Sequence, residues 1–175
     1  VDVSSNYIFV GGSFTDNTNN ISKSNLLAIN KSTGAIENWA PNPNSDVHRL
    51  LVSDGKLYVG GYFTNINGQP RERFAVYDAN TLTLLSSPQL SFNGLVNSFK
   101  VDGGKIWVGG EFTAVNTTAT SQLAAFSRTD GSLVRTTNLT GGMMSSVNDI
   151  LAENDKLITT NVQVYYGFGD TCTSP

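Results

Sequence analysis

The chain has one histidine, His48, set in the run Asp46-Val47-His48-Arg49. A base beside a carboxylate is the raw material of general acid–base and nucleophilic catalysis. Nothing completes it here: no serine stands in a nucleophile motif and no second base exists, so no catalytic triad is written in the sequence. One His and one Cys make a poor zinc set. The acids Asp16, Glu37, Asp78, Glu111, Glu153 and Asp170 are scattered, with no D-x-[DN]-x-[DN]-G calcium loop. Cys172 has no internal disulfide partner, leaving a tail thiol or pairing with a cysteine elsewhere. The expectation is a chain with no catalytic residues, no metal and no cofactor.

The remaining chemistry is that of binding. Asp46, His48 and Arg49 open a strand whose counterparts carry Asn97 and Asn148, so the position is polar throughout and suits an axial channel. Arg71-Glu72-Arg73 is the one dense charge cluster, with uncharged counterparts. It offers an anion or partner site, against the plainer reading of a solvated surface. Trp39 and Tyr62 have no aromatic counterpart in the other copies and are candidates to stack on a glycan. Sequons at Asn20, Asn30, Asn116 and Asn138 are no more than this Asn, Ser and Thr content produces by chance.

These residues must be placed by a repeat. Ile8-Phe9-Val10-Gly11-Gly12-Ser13-Phe14-Thr15 returns as Leu57-Tyr58-Val59-Gly60-Gly61-Tyr62-Phe63-Thr64 and as Ile106-Trp107-Val108-Gly109-Gly110-Glu111-Phe112-Thr113. The glycine pairs begin at 11, 60 and 109, a spacing of 49 in both intervals. A fixed period of that size marks a repeat architecture. Within the second copy, 47–53 reads as a strand, Asp54-Gly55 as a hairpin turn and 56–64 as a second strand. Residues 65–71 read as a loop, 74–78 as a third strand and 82–86 as a fourth. The other copies place their fourth strands at 35–39 and 133–136, and a last unit starts at 147–152, turns at 154–155 and continues through 156–160.

Four antiparallel strands in about fifty residues is one blade of a β-propeller. The expected class is all-β, with blades at about 1–46, 47–95 and 96–146, a partial one at 147–166, and a linker at 167–175. Two glycines inside a strand weaken it and mark a bulge or a close approach of another backbone. Phe9, Tyr58 and Trp107 recur at one position and are assigned to packing between blades. A phosphate-binding glycine loop is excluded, because no GxGxxG or GxxxxGK[ST] occurs and no helix follows.

Bulk properties narrow the class further. The net charge is −3 and the pI about 5.0, with only 14% charged residues, so no basic stripe is present for nucleic acid. The apolar runs are too short to span a bilayer. The chain opens inside a repeat without an initiator Met, as a mature fragment or a piece of a longer protein would, so the missing leader says nothing about secretion. About 3.5 blades fall short of the four to eight that usually close a ring. A larger ring of about seven, completed by further blades or by a second copy, is expected, with an open stack as the alternative.

The glycine-pair phrase, with its partners NWAPNPNSDVHRL and NINGQPRERFAVYD, resembles the VGG-x-F-T propeller repeats of secreted and cell-surface bacterial proteins, the delta-60-like group. The fungal cortical polarity markers carry a similar phrase. The resemblance spans roughly residues 7 to 160 and implies an extracellular or cell-surface module for protein or glycan interaction. Its contact face would be the loops 15–25, 65–73 and 114–122. A polysaccharide-active enzyme domain and a structural part of an extracellular assembly are the alternatives, since fold does not fix function.

Overall fold

The computed structural model describes residues 1–120, 122–136, 146–153 and 156–160. The turn expected at 154–155, the end of the partial blade at 161–166, the linker at 167–175, Asn138, Asp170 and Cys172 lie outside them. Over the described residues the protein is all-β, built of small antiparallel sheets in series, with a single 3-10 turn at Thr18–Asn20.

The first repeat supplies β1 (Asp2–Val3), β2 (Tyr7–Asp16) and β3 (Lys23–Asn30). The second supplies β4 (Val47–Ser53), β5 (Lys56–Gly61), the two-residue pair β6 (Asn65–Ile66) and β7 (Gln69–Pro70), and β8 (Phe74–Asp78). The third supplies β9 (Val96–Asp102), β10 (Lys105–Gly110), the pair β11 (Ala114–Val115) and β12 (Thr118–Ala119), then β13 (Leu123–Ser127) and β14 (Leu133–Thr136). β15 (Asp149–Glu153) and β16 (Lys156–Thr160) open the fourth. The sheets run β1-β2-β3, β4-β5-β8, β9-β10-β13-β14 and β15-β16.

Sheets two and three each pack one face on the sheet before and the other on the sheet after. In β5 and β8, Leu57, Val59, Ala75 and Tyr77 point back to Phe9, Leu26 and Ala28, while Tyr58, Phe74 and Val76 point on to Ile106, Val108, Ala124 and Phe126. We call these the leading and trailing faces. Because successive residues of a strand alternate between faces, a strand buried on both reads as a continuous apolar run.

The fourth strand is weaker than expected. Over 35–39 and 82–86 it shrinks to single bridges, Ile29 with Ile36 and Tyr77 with Leu84. Pro41 and Pro43 follow the one stretch and Pro88 the other. In the third repeat Leu133-Val134-Arg135-Thr136 forms a four-residue fourth strand paired to β13. Two further corrections concern the loops. The second strand ends at Gly61 rather than Thr64, and the expected loop 65–71 contains the β6–β7 hairpin, turning at Asn67 (φ 54°) and Gly68 (φ 70°).

The glycine pair does two separate jobs. A Cβ on the first glycine would strike the next sheet: Val47 Cγ1 at 2.5 Å from Gly11, Phe99 Cζ at 2.5 Å from Gly60, Val147 Cγ1 at 2.6 Å from Gly109. A Cβ on the second would strike its own sheet, on Asp46 O at Gly61 and Leu95 O at Gly110, where the first strand bulges across the second. Gly12 lacks that neighbour; its nearest atom is Phe14 Cδ1 at 3.5 Å.

Candidate functional site

The sheets have two unlike ends. One carries the hairpins between first and second strands and the turns after third strands. The other carries the 65–73 and 114–122 loops and the starts of the inner strands, held together by a repeated device. Asn44 Oδ1 accepts from Thr64 N at 2.8 Å and Asn65 N at 3.0 Å, and its Nδ2 donates to Thr64 Oγ1 at 2.9 Å. Asn93 does the same to Thr113 and Ala114, at 2.9, 2.9 and 3.0 Å. This fixes the threonine that closes the repeated phrase, while Phe63 and Phe112 before it are fully buried.

On this loop end His48 is exposed and stands edge-on to Tyr62, ring centroids 5.0 Å apart and planes at 86°. Tyr62 is 46% exposed, and its backbone N–H donates to Asp46 O at 3.0 Å. The structure therefore brings His48, Tyr62 and the Asp46 backbone together. At the same register in the next sheets, Asn97 Nδ2 donates to Ser146 Oγ (2.9 Å) and Asn148 Oδ1 (3.1 Å), and Ser146 Oγ donates to Asn148 Oδ1 at 2.6 Å. The result is a polar row from sheet two to sheet four. Beside it, Arg49 Nε and Ser98 Oγ are buried with no hydrogen-bond partner among the described residues.

The other candidates belong to the packing. Arg71 is 8% exposed, and its guanidinium donates to Pro70 O at 2.8 Å, Leu85 O at 3.4 Å and Gln69 Oε1 at 3.5 Å. Arg73 donates to Phe92 O at 2.6 Å, and Glu72 accepts from Ser91. The charged cluster ties the second repeat to the approach of the third through these bonds. Trp39 is half-buried, edge-on to Phe9 (6.0 Å) and Tyr77 (5.1 Å), packed with residues of the first two sheets.

Sequence reasoning missed Arg128, at the hairpin end. Its Nε donates to Tyr58 Oη at 3.0 Å and its Nη1 to Asp54 Oδ2 at 2.6 Å and Gly103 O at 3.1 Å. Lys56 Nζ returns a bond to Arg128 O at 3.2 Å. Burial opposes the charge of Arg128, but the bonds to Tyr58 and Asp54 outweigh it and raise its pKa. The hydrogen bond from Arg128 is the main reason the Asp54 carboxyl lies below the ordinary aspartate range, with Ser53 contributing. Burial pushes the Tyr77 hydroxyl up. A cue existed in the sequence only as an arginine whose repeat counterparts, Lys31 and Ala79, share no type. In the first repeat, Lys23 is wholly buried, donating to Thr18 O (3.0 Å) and Ile21 O (3.2 Å) with Asp16 at 3.8 Å, and so orders the 15–25 loop.

Among the described residues no group of three or more His, Cys, Asp or Glu is placed to hold a metal, and no helix is long and apolar enough to cross a membrane.

Serial antiparallel sheets joined through glycine-thinned strands are consistent with a propeller-like fold. Residues 53–80, the stretch from the Asp54 hairpin through β8, match the family model described as "Domain of unknown function (DUF5122) beta-propeller". No curated protein matches the chain in sequence. Among solved structures it is similar to the "computationally designed Ika4 protein", with a TM-score of 0.52 at 15% identity, covering 87% of this chain and 84% of that one. Likeness at that identity speaks for the fold alone.

Proposed function

We propose that the protein is a non-enzymatic interaction module of the cell surface or extracellular space, binding a glycan or protein partner at the loop end of its sheets. Its roughly 3.5 blades would form part of a larger ring of about seven, completed by further blades or a second copy. The observation that carries the reading is Tyr62: a large aromatic 46% exposed, held upright by His48 5.0 Å away. An aromatic ring with a fixed orientation beside a row of amides and hydroxyls suits a sugar face and its hydroxyl groups. The surrounding loops differ between repeats, which is where repeat proteins place specificity.

Glycan-array binding tests this, with Tyr62→Ala as the control. The expected outcome is a bound class of glycan whose signal falls at least tenfold in the variant. Unchanged binding by Tyr62→Ala would remove the site, and hydrolysis or β-elimination abolished by His48→Ala would replace the reading with an enzymatic one.

A further inference from the structure

Arg49 follows His48 on β4 and stands opposite Gly60 on the β4–β5 ladder. Leu51, two residues on, packs with the cluster around Tyr58, so Arg49 shares that trailing face. Across the same rung lie Val96 and Phe99 of β9, the side chains that a Cβ on Gly60 would strike. The strands packed on β4, namely β1, β2, β5 and β9, all fall within the described residues. Among those residues Arg49 makes no hydrogen bond and no ion pair. Its Nε is buried without an acceptor, while the residue as a whole is half-buried and its outer nitrogens meet the solvent. A guanidinium has five N–H donors, and desolvating part of it with none engaged costs the fold stability.

The other arginines of this region are treated differently. Arg71, Arg73 and Arg128 each donate to a carbonyl or a carboxylate. Nor does the architecture demand a cation at this rung. In sheet three the place opposite Gly109 is held by Ser98, which is uncharged and wholly buried. Asp46, three residues before Arg49, and Glu111, which holds the place of Tyr62 in sheet three, form no ion pair with it. Arg49 is thus a charge that the fold carries without using.

Its position says what would use it. Gly60, the ladder partner of Arg49, precedes Tyr62 by two residues, about 7 Å of extended chain. His48, the neighbour of Arg49, has its ring 5.0 Å from that of Tyr62. A hexose lying on Tyr62 would therefore carry its exocyclic group toward the guanidinium. We propose that Arg49 makes the Tyr62 site selective for acidic glycans: a uronate ring rests on Tyr62, and its carboxylate takes two parallel hydrogen bonds from Arg49. This names the ligand class of the proposed glycan site and rests on that reading, but the carboxylate contact can fail while the aromatic one stands.

The probe is a trimer of galacturonate, with its neutral methyl ester as control, titrated into the ¹⁵N-labelled chain. The acid should bind at least tenfold more tightly than the ester and move the Arg49 Nε–H resonance, assigned with Arg49→Met. That variant keeps the alkyl stem and removes the donors. It should bring the acid down to the affinity of the ester, leave the ester unchanged, and melt no lower than the parent, since no bond within the fold is lost. Arg49→Lys, a charge without the fork, should recover only part of the preference. Equal binding of acid and ester overturns the proposal and leaves the Tyr62 site in place. Binding of neither trimer, or binding indifferent to Tyr62→Ala, removes both. A lower melting temperature for Arg49→Met would show a guanidinium already partnered in the fold, and equal loss of acid and ester a merely structural one; either overturns the assignment. So does tighter binding of a sulfated galactose trimer or of a triglutamate peptide, which would make the site one for sulfate esters or for an acidic protein.

Discussion

Gly60 and Gly61 refuse a methyl group for different reasons, and the difference is measurable. At Gly60 the obstacles are the side chains of Phe99 and Val96, at 2.5 and 2.9 Å, which belong to the next sheet and can yield a little. Overpacking of that kind costs about 1–3 kcal/mol. At Gly61 the obstacle is the backbone of Asp46 in the same sheet, which cannot yield without opening the bulge. Gly61→Ala should therefore exceed Gly60→Ala in urea denaturation, whereas Gly12→Ala, with nothing nearer than 3.5 Å, should fall within about 0.5 kcal/mol of the parent. Equal costs at 12 and 61 would contradict the two-job account of the pair. Asn93 gives a second test. Asn93→Ala strands the N–H groups of Thr113 and Ala114 and should cost about 1 kcal/mol, while Asn93→Asp keeps the acceptor and most of the stability at pH 7. The glycines were legible in the sequence because their spacing is fixed and their chemistry is singular. The asparagines were not: an Asn in a polar turn has many uses, and its partner lies 20 residues away.

At the scale of elements, the hairpin after β4 and the turn after β13 are joined by Arg128 across two sheets. The carboxylate of Asp54 is held below its ordinary pKa chiefly by that arginine, so its contribution to stability is present above the unfolded value near pH 4 and fades as pH falls through the lower folded value. Asp78, bonded first by the backbone of Thr81, and Asp130, at about 2 through the backbone of Ser132, act in the same direction. Thermal stability should thus fall between about pH 4 and pH 2, and the Asp54→Asn chain should show a shallower fall over that window. A parallel acid profile would mean that the Arg128–Asp54 contact carries no folding energy. Arg128→Ala should cost about 1–2 kcal/mol at pH 7, largely through Tyr58 Oη and the carbonyls it leaves unpaired. Second and third strands were readable from their apolar runs and the Asp54-Gly55 turn. The fourth was not: 35–39 and 82–86 are as short and mixed in character as 133–136, yet the first two make one bridge each and the last a paired strand.

Across the whole molecule, position in the series decides burial more than residue type does. Leu57, Val59, Ala75 and Tyr77 on the leading face of sheet two are at most 1% exposed, as are Ile106, Val108 and Ala124 on sheet three. Of their counterparts on sheet one, Ile8, Val10 and Ile29 are only half-buried although equally apolar, while Leu27 is buried at 7%. Val1 is 79% exposed, whereas Leu50 and Phe99, which share its place, fill the space beside Gly11 and Gly60 at 7% and 1%. Sheets two and three are therefore clamped on both faces and sheet one on its trailing face alone. Local opening follows the number of packed faces, so amides of β2 and β3 should exchange with solvent at least tenfold faster than those of β5, β8, β10 and β13. Hydrogen exchange followed by mass spectrometry on the isolated chain resolves these segments. Uniform protection across the three sheets would mean that Ile8, Val10 and Ile29 are covered in solution, and light scattering on the same sample would then show whether a second copy covers them.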